Sequence, residues 1–189
     1  SYFNALHRYD PIADTWAVMA TGPTGRYGAS FVAVGTKIYM FGGWTSSISA
    51  EHWVYDTVAN SWAQLANGPA GRFGHSAVLV DGYIYITGGS ANGSAAQGTN
   101  YRFNPADNTW VTNLAVMAIP SWYHATWVHN GRIYMFGGRA GATITNAFRY
   151  YDSASNTWTD LTGQPSERMA ASAVILDGIV HIFGEIGRA

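Results

Sequence analysis

The chain contains no cysteine, which excludes disulfide bridges, thiolate metal sites and thiol chemistry. It is also poor in charge. Lys and Arg together number 10, Asp and Glu 11, and the net charge is -1. Lys37 is the single lysine. Such a chain lacks the concentrated basic surface that nucleic acid requires, so a nucleic-acid partner is excluded. No apolar run approaches the ~18 residues of a membrane-spanning helix, so no membrane partner is expected. The sequence opens at Ser1 without a signal-peptide pattern, as expected of a processed form or a fragment. No linker or shift in composition divides it, and residues 1–189 read as one domain. What it has in quantity is Gly (22 residues) and aromatics (15%). With its many Ser, Thr and Asn, this composition points towards a secreted or periplasmic protein.

The aromatics are periodic. Trp16, Trp62, Trp110 and Trp158 are spaced 46, 48 and 48 residues apart, and each follows an aromatic (Tyr9, Tyr55, Phe103, Tyr151) by seven positions. Self-similarity at such a period marks a repeat architecture. Each unit opens with a β-branched run: Ser30 to Val34, Ser76 to Val80, Ala125 to Val128, Ser172 to Leu176. A tight turn follows at Gly35-Thr36, Asp81-Gly82, Asn130-Gly131 and Asp177-Gly178. Asn-Gly and Asp-Gly supply the positive φ of a type I′ hairpin, so two antiparallel strands are predicted on either side. The second strand ends on Gly42-Gly43, Gly88-Gly89, Gly137-Gly138 and, in the last copy, Gly184-Glu185. Paired glycines there allow close approach or a sharp bend. After a polar loop a third strand ends at the Tyr-Asp pair, an Asp/Asn turn closes at Asp14, Asn60, Asn108 or Asn156, and the tryptophan begins a fourth strand.

Four short strands per period of this length resemble the kelch repeat family. The strand-plus-diglycine block, the Tyr-Asp pair and the tryptophan seven positions on carry the resemblance, which spans essentially the whole chain. The family's Arg-x-x-His opening is complete at Arg72 and His75. Elsewhere it is partial: Arg26 precedes Ala29, Arg168 precedes Ala171, and Ser121 precedes His124. The resemblance implies an all-β propeller with blades at about 20–65, 66–113, 114–161, and 162–189 joined with 1–19. Joining the ends gives a fourth spacing of 47 residues. That favours a monomeric four-bladed ring whose last blade is shared by the two termini. A fragment of a larger ring and a dimer of open halves are the alternatives.

The variable loops 44–52, 90–100 and 139–147 fall on one face, away from the short turns, and binding residues concentrate on variable loops of a rigid scaffold. Candidate ligand-binding residues on that face are Arg26, Arg72, Arg139, Arg168, Trp44, Trp122, Tyr123, His75, His124 and Glu185. Arginine forks suit carboxylates, and aromatic faces cover apolar peptide or sugar surface. The competing reading gives the repeated arginines to loop carbonyls of the neighbouring blade, and His75 and His124 to hydrogen bonds within the blade. Trp44, Trp122, Arg139 and Glu185 each occupy their repeat position once, so the scaffold does not demand them. The four repeat tryptophans, with Tyr39, Tyr85 and Tyr134, are assigned to the core. No catalytic constellation, metal motif or cofactor signature stands out.

These features favour a non-catalytic module that binds a protein segment or a glycan. The resemblance also implies two enzymatic relatives. Copper sugar oxidases need a cysteine-tyrosine cofactor that this chain cannot form. A sialic-acid epimerase stays as the alternative, resting on the arginines and Glu185. A structural scaffold without a ligand is the third reading.

Overall fold

The computed structural model describes residues 2–163 and 166–184. Every regular element among them is a β-strand. Strands β1 (His7–Asp10) and β2 (Thr15–Val18) form a two-stranded sheet. Blade one comprises β3 (Ser30–Val34), β4 (Lys37–Phe41), β5 (His52–Asp56) and β6 (Ser61–Leu65). Blade two comprises β7 (Ser76–Val80), β8 (Tyr83–Thr87), β9 (Asn100–Asn104) and β10 (Thr109–Val111). Blade three comprises β11 (Ala125–His129), β12 (Arg132–Phe136), β15 (Phe148–Asp152) and β16 (Thr157–Leu161), with the small hairpin β13 (Arg139–Ala140) and β14 (Thr143–Ile144) in its long loop. Strands β17 (Ser172–Leu176) and β18 (Ile179–Phe183) form a second two-stranded sheet. β1–β2 and β17–β18 are thus two separate two-stranded sheets. Among the described residues no pairing joins β18 to β1.

Local chemistry explains the regularity. Both central residues of the turns Asp81-Gly82, Asn130-Gly131 and Asp177-Gly178 have positive φ, as a type I′ hairpin needs. Gly35-Thr36 differs, with positive φ only at Gly35. After each third strand, the carboxylate of Asp10, Asp56 or Asp152 accepts backbone N–H bonds from residues two and three positions on. Asp14, Asn60, Asn108 and Asn156 then take the left-handed conformation that ends the turn.

The diglycines are required by a junction between blades. Gly42, Gly88 and Gly137 have φ of 58°, 69° and 66°. A Cβ at any of them would overlap the carbonyl oxygen of Arg72, Ser121 or Arg168 in the next repeat. The following glycine donates its N–H to that same carbonyl, at 2.9, 3.0 and 2.7 Å. Only glycine allows both the approach and the φ.

Adjacent blades pack face to face. Val32, Tyr39 and Phe41 of blade one meet Ile84, Ile86 and Phe103 of blade two. Val80 and Tyr85 of blade two meet Ile133 and Tyr151 of blade three. The innermost strands follow the order β3, β7, β11, β17. They surround a polar channel of about 320 Å³ lined by Ser30, Ser76, His124, Thr126 and Ser172.

The repeat tryptophans are only partly the core residues anticipated. Trp62, Trp110 and Trp158 are half-buried, whereas Trp16 on β2 is 70% exposed. Trp62 and Trp158 also carry a polar duty. Each indole N–H donates to a backbone carbonyl of the preceding unit, Ala20 at 3.2 Å and Ala115 at 2.9 Å.

Candidate binding face

The first-strand hairpin turns and the Tyr-Asp turns share one face: the Thr57 N–H and Oγ1 both donate to the Thr36 carbonyl, at 3.0 and 2.8 Å. Chain direction puts the diglycine loops and the segments between blades on the opposite face. There the backbone forms a chain of hydrogen bonds from blade to blade. Gly74 N–H donates to Gly28 O at 2.8 Å, Tyr123 N–H to Gly74 O at 2.7 Å, and Ala170 N–H to Tyr123 O at 2.8 Å. All four residues have positive φ. Tyr123 and Ala170 thus hold a conformation that costs a non-glycine residue energy; Tyr123 is held in it by hydrogen bonds on both sides and Ala170 by its N–H bond to Tyr123.

Next to this chain lie the aromatic candidates. Tyr27, Phe73 and Trp122 occupy one repeat position, and each contacts the next edge to face, with ring centroids 5.7 and 5.2 Å apart. Trp44 stacks on Tyr27 at 6.3 Å and meets the edge of Phe73 at 5.4 Å. Tyr123 stacks on Trp122 at 4.9 Å. The Arg139 guanidinium lies 5.7 Å from the Trp122 ring centroid, and its Nε donates to Gly141 O at 2.9 Å. Trp122 and Arg139 are further joined by backbone N–H···O bonds in both directions, 3.1 and 2.8 Å. Phe73 and Trp122 are buried, Trp44, Tyr123 and Arg139 half-buried, and Tyr27 exposed. The structure thus gathers Trp44, Trp122, Tyr123 and Arg139 into one ribbon. Tyr27 and Phe73, which directly follow Arg26 and Arg72 in the chain, complete it.

The repeated arginines are placed differently. Arg72 is 3% exposed. It donates to Gly88 O at 3.0 Å and Thr99 Oγ1 at 3.0 Å, and lies over the Tyr101 ring at 4.3 Å. Arg26 donates to Gly42 O at 2.9 Å and Thr24 O at 3.0 Å, and pairs with Glu51. That guanidinium holds the Glu51 carboxyl below its ordinary range. Arg168 is half-buried and, among the described residues, its Nε has no hydrogen-bond partner. The Arg26 and Arg72 guanidiniums are both committed to protein groups, but of their own repeat and not, as expected, of the neighbouring blade.

His75 and His124 are buried at the starts of β7 and β11. Burial pushes His75 down to about 3 and His124 to about 4, so both are neutral near pH 7. His124 Nε2 is bonded to Ser76 Oγ at 3.0 Å, and Nδ1 faces Ser121 Oγ at 3.3 Å. The anticipated bonding within the blade is corrected in part here: Ser76 belongs to blade two, so the imidazole ties blade three to its neighbour. Among the described residues no group of three or more His, Asp or Glu is placed to hold a metal. Glu185 lies outside the described residues.

His52 is the buried polar residue that sequence reasoning passed over. It stacks on Phe41 at 4.3 Å between Phe103 and Trp110, and is fully buried. Its repeat partner in blade three is Phe148, and that break in the pattern was the available signal.

Three four-stranded antiparallel blades, two further two-stranded sheets and three diglycine junctions define a kelch-repeat β-propeller protein. The Attractin/LZTR1 beta-propeller model matches residues 1–187, and the chain belongs to that family. It is similar to Kelch-like protein 15 of Danio rerio, 27% identical over 189 residues, covering 96% of this chain and 26% of that protein. Alpha-scruin of Limulus polyphemus is 30% identical over 87 residues, covering 46% of this chain and 9% of that protein. The solved structure of YjhT superposes with a TM-score of 0.82 at 18% identity, over 93% of this chain and 64% of that one. The chain therefore spans only a minor part of the curated relatives it matches. Neither the comparisons nor the geometry supports the epimerase alternative: Arg26 and Arg72 are committed to protein groups.

Proposed function

We propose that this chain is a protein-recognition module that takes a peptide segment across its loop face. The carrying observation is the ribbon of Tyr27, Trp44, Phe73, Trp122, Tyr123 and Arg139. Tyr, Trp and Arg are the side chains that dominate binding energy at protein interfaces, especially when centred on a packed, partly desolvated patch. Phe73 and Trp122 provide a rigid floor, while Tyr27, Trp44 and Tyr123 keep surface available to a ligand. Arg139 adds a cation at one end that suits a carboxylate or a backbone carbonyl. Arg26, Arg72, His75 and His124 support the ribbon from below rather than meeting the ligand.

A finer reading of the scaffold accompanies this. We infer that β17–β18 and β1–β2 are the two halves of one blade, in which β18 pairs with β1. The unbroken repeat spacing supports it.

Selection from a displayed random-peptide library tests the function. Trp44→Ala and Arg139→Ala are each expected to weaken a selected peptide by about tenfold or more, with the fold unchanged by circular dichroism. Selection of glycans but no peptides from parallel arrays would assign the ribbon to carbohydrate. No ligand from either source would leave a structural scaffold.

A further inference from the structure

The ribbon on the loop face has a one-sided hydrogen-bonding chemistry. Its backbone is fully used. The N–H and carbonyl of Tyr27 pair with those of Trp44, those of Phe73 with Ser90, and those of Trp122 with Arg139, at 2.8 to 3.1 Å. Tyr123 donates to Gly74 and accepts from Ala170, at 2.7 and 2.8 Å. The ribbon therefore has no open strand edge, and a ligand cannot join it as a further strand.

Its side chains supply donors. Among the described residues the Trp44 indole N–H and the Tyr27 and Tyr123 hydroxyls have no hydrogen-bond partner. Arg139 uses only its Nε, so both terminal amino groups of its fork are unused as well. Tyr27 and Tyr123 flank the Phe73 ring, with centroids 5.7 and 6.1 Å from it. Burial and the nearby Tyr27 phenol push the Tyr123 phenol up, so its proton stays in place for donation. Acceptors are scarce. The phenol oxygens are the only ones the six side chains offer, with no carboxylate, amide or imidazole among them.

This balance discriminates between ligands. An ordinary peptide brings an N–H at every residue, and each one covered without an acceptor weakens binding about fivefold or more. A glycan brings hydroxyl donors that meet the same lack. Proline has no N–H and keeps its carbonyl. In the polyproline II conformation the chain makes no internal hydrogen bonds, so its carbonyls are open to donors. One turn takes three residues and rises about 9 Å. The rings of Tyr27, Phe73 and Trp122, at successive spacings of 5.7 and 5.2 Å, give an apolar run of comparable length. Such a segment is already stiff, so it loses little freedom on binding. At the Trp122 end the run meets the Arg139 guanidinium, 5.7 Å from that ring, whose free amino groups suit a carboxylate.

We propose that the peptide taken by this face is a proline-rich segment in the polyproline II conformation, with a carboxylate beside the proline run that meets Arg139. The proposal rests on the peptide-recognition reading given above. Trp44, Tyr27 and Tyr123 donate to the segment's carbonyls while Phe73 and Trp122 form the floor under its rings. Aromatic-lined grooves hold proline-rich segments in this manner.

The test titrates the chain, by calorimetry, with a capped octaproline peptide ending in two aspartates. A capped glycine-serine peptide of equal length with the same aspartates is the control. The proline peptide is expected to bind about tenfold more tightly or better. Trp44→Phe, and Tyr27→Phe combined with Tyr123→Phe, keep a ring at each position and remove the donors. Each is expected to weaken the proline peptide about two- to tenfold, with unchanged circular dichroism. In Arg139→Ala the proline peptides with and without aspartates are expected to bind alike. Equal binding of the proline and glycine-serine peptides, or indifference to the donor variants, overturns the proposal. Failure of the proline peptide, while a library-selected peptide binds and responds to Trp44→Ala, overturns it and leaves peptide recognition standing. Failure of both overturns peptide recognition itself.

Discussion

Trp158 Nε1 donates to the Ala115 carbonyl across the junction between blades two and three, at 2.9 Å. Asn156 completes the latch, its Oδ1 accepting from the Ala115 N–H and from the Tyr151 hydroxyl, each at 2.8 Å. Trp62, Asn60 and Tyr55 repeat the arrangement with Ala20. Blade two lacks it. Phe103 has no hydroxyl, and Trp110 Nε1 is buried without a partner among the described residues.

The asymmetry of that latch is measurable. Asn60→Gly and Asn156→Gly keep the left-handed conformation accessible and remove only the side-chain bonds. Each is expected to cost about 1 kcal/mol in urea denaturation, since an exposed backbone N–H and a part-buried hydroxyl lose their acceptor. Asn108→Gly is expected to cost a few tenths of a kcal/mol or so, because no equivalent latch exists there. Equal losses at all three sites would contradict the assignment.

The glycines separate into two classes. Gly88→Ala puts a methyl group onto the Ser121 carbonyl and the His124 ring in a left-handed conformation. Neither the next blade's backbone nor the ring can yield without opening the junction. A loss above about 4 kcal/mol or failure to fold is expected. Gly82→Ala has the same sign of φ but nothing within 4 Å of the new methyl. Its cost is expected to be about 1–2 kcal/mol, the left-handed penalty alone. Thermal denaturation of the pair checks the contrast.

The strand plan and both glycine classes were legible because they depend on backbone conformation repeated in each unit. Asp81-Gly82 and Gly88-Gly89 announce a turn and a bend wherever they occur. The latch was not legible in the same way. Asn156 reads locally as a turn residue, and its second role depends on Ala115, a residue 41 positions away whose side chain carries no signal. On the candidate face, Trp44, Trp122 and Arg139 were found because they break the repeat. The ribbon they join was not legible, since contacts such as Tyr27–Phe73 arise from the angle between blades rather than from either blade's sequence.

The arginines should divide along the same line. Arg72→Ala strips the Gly88 carbonyl and Thr99 of a buried donor and empties a space beneath Tyr101. About 2–4 kcal/mol of stability should be lost. Arg72→Lys should recover little, because an ammonium cannot reproduce the fork. Arg139→Ala, on a half-buried loop hairpin, should cost under about 1 kcal/mol and act on ligand capture instead. Denaturation curves and peptide capture, measured on the same three variants, report the two effects separately.

Acid should destabilise the protein through its buried imidazoles. Burial holds His52 at about 4, His75 at about 3 and His124 at about 4, all below the ordinary 6.5. A lowered folded-state value means that the unfolded chain binds protons more readily. Stability is therefore complete above pH 6.5, falls as the unfolded chain takes up protons, and stops falling once the folded histidines protonate near pH 4 to 3. The slope of unfolding free energy against pH near pH 5 should correspond to up to three protons, with carboxylates adding their own share below that. His52 separates from the others because its position takes Phe148 in blade three, so His52→Phe suits the site. It places a ring among Phe41, Phe103 and Trp110 with no group to desolvate. That variant should unfold with about one proton less in its pH slope while matching or exceeding the parent's stability at pH 5. An unchanged slope would mean that His52 is not held neutral by burial.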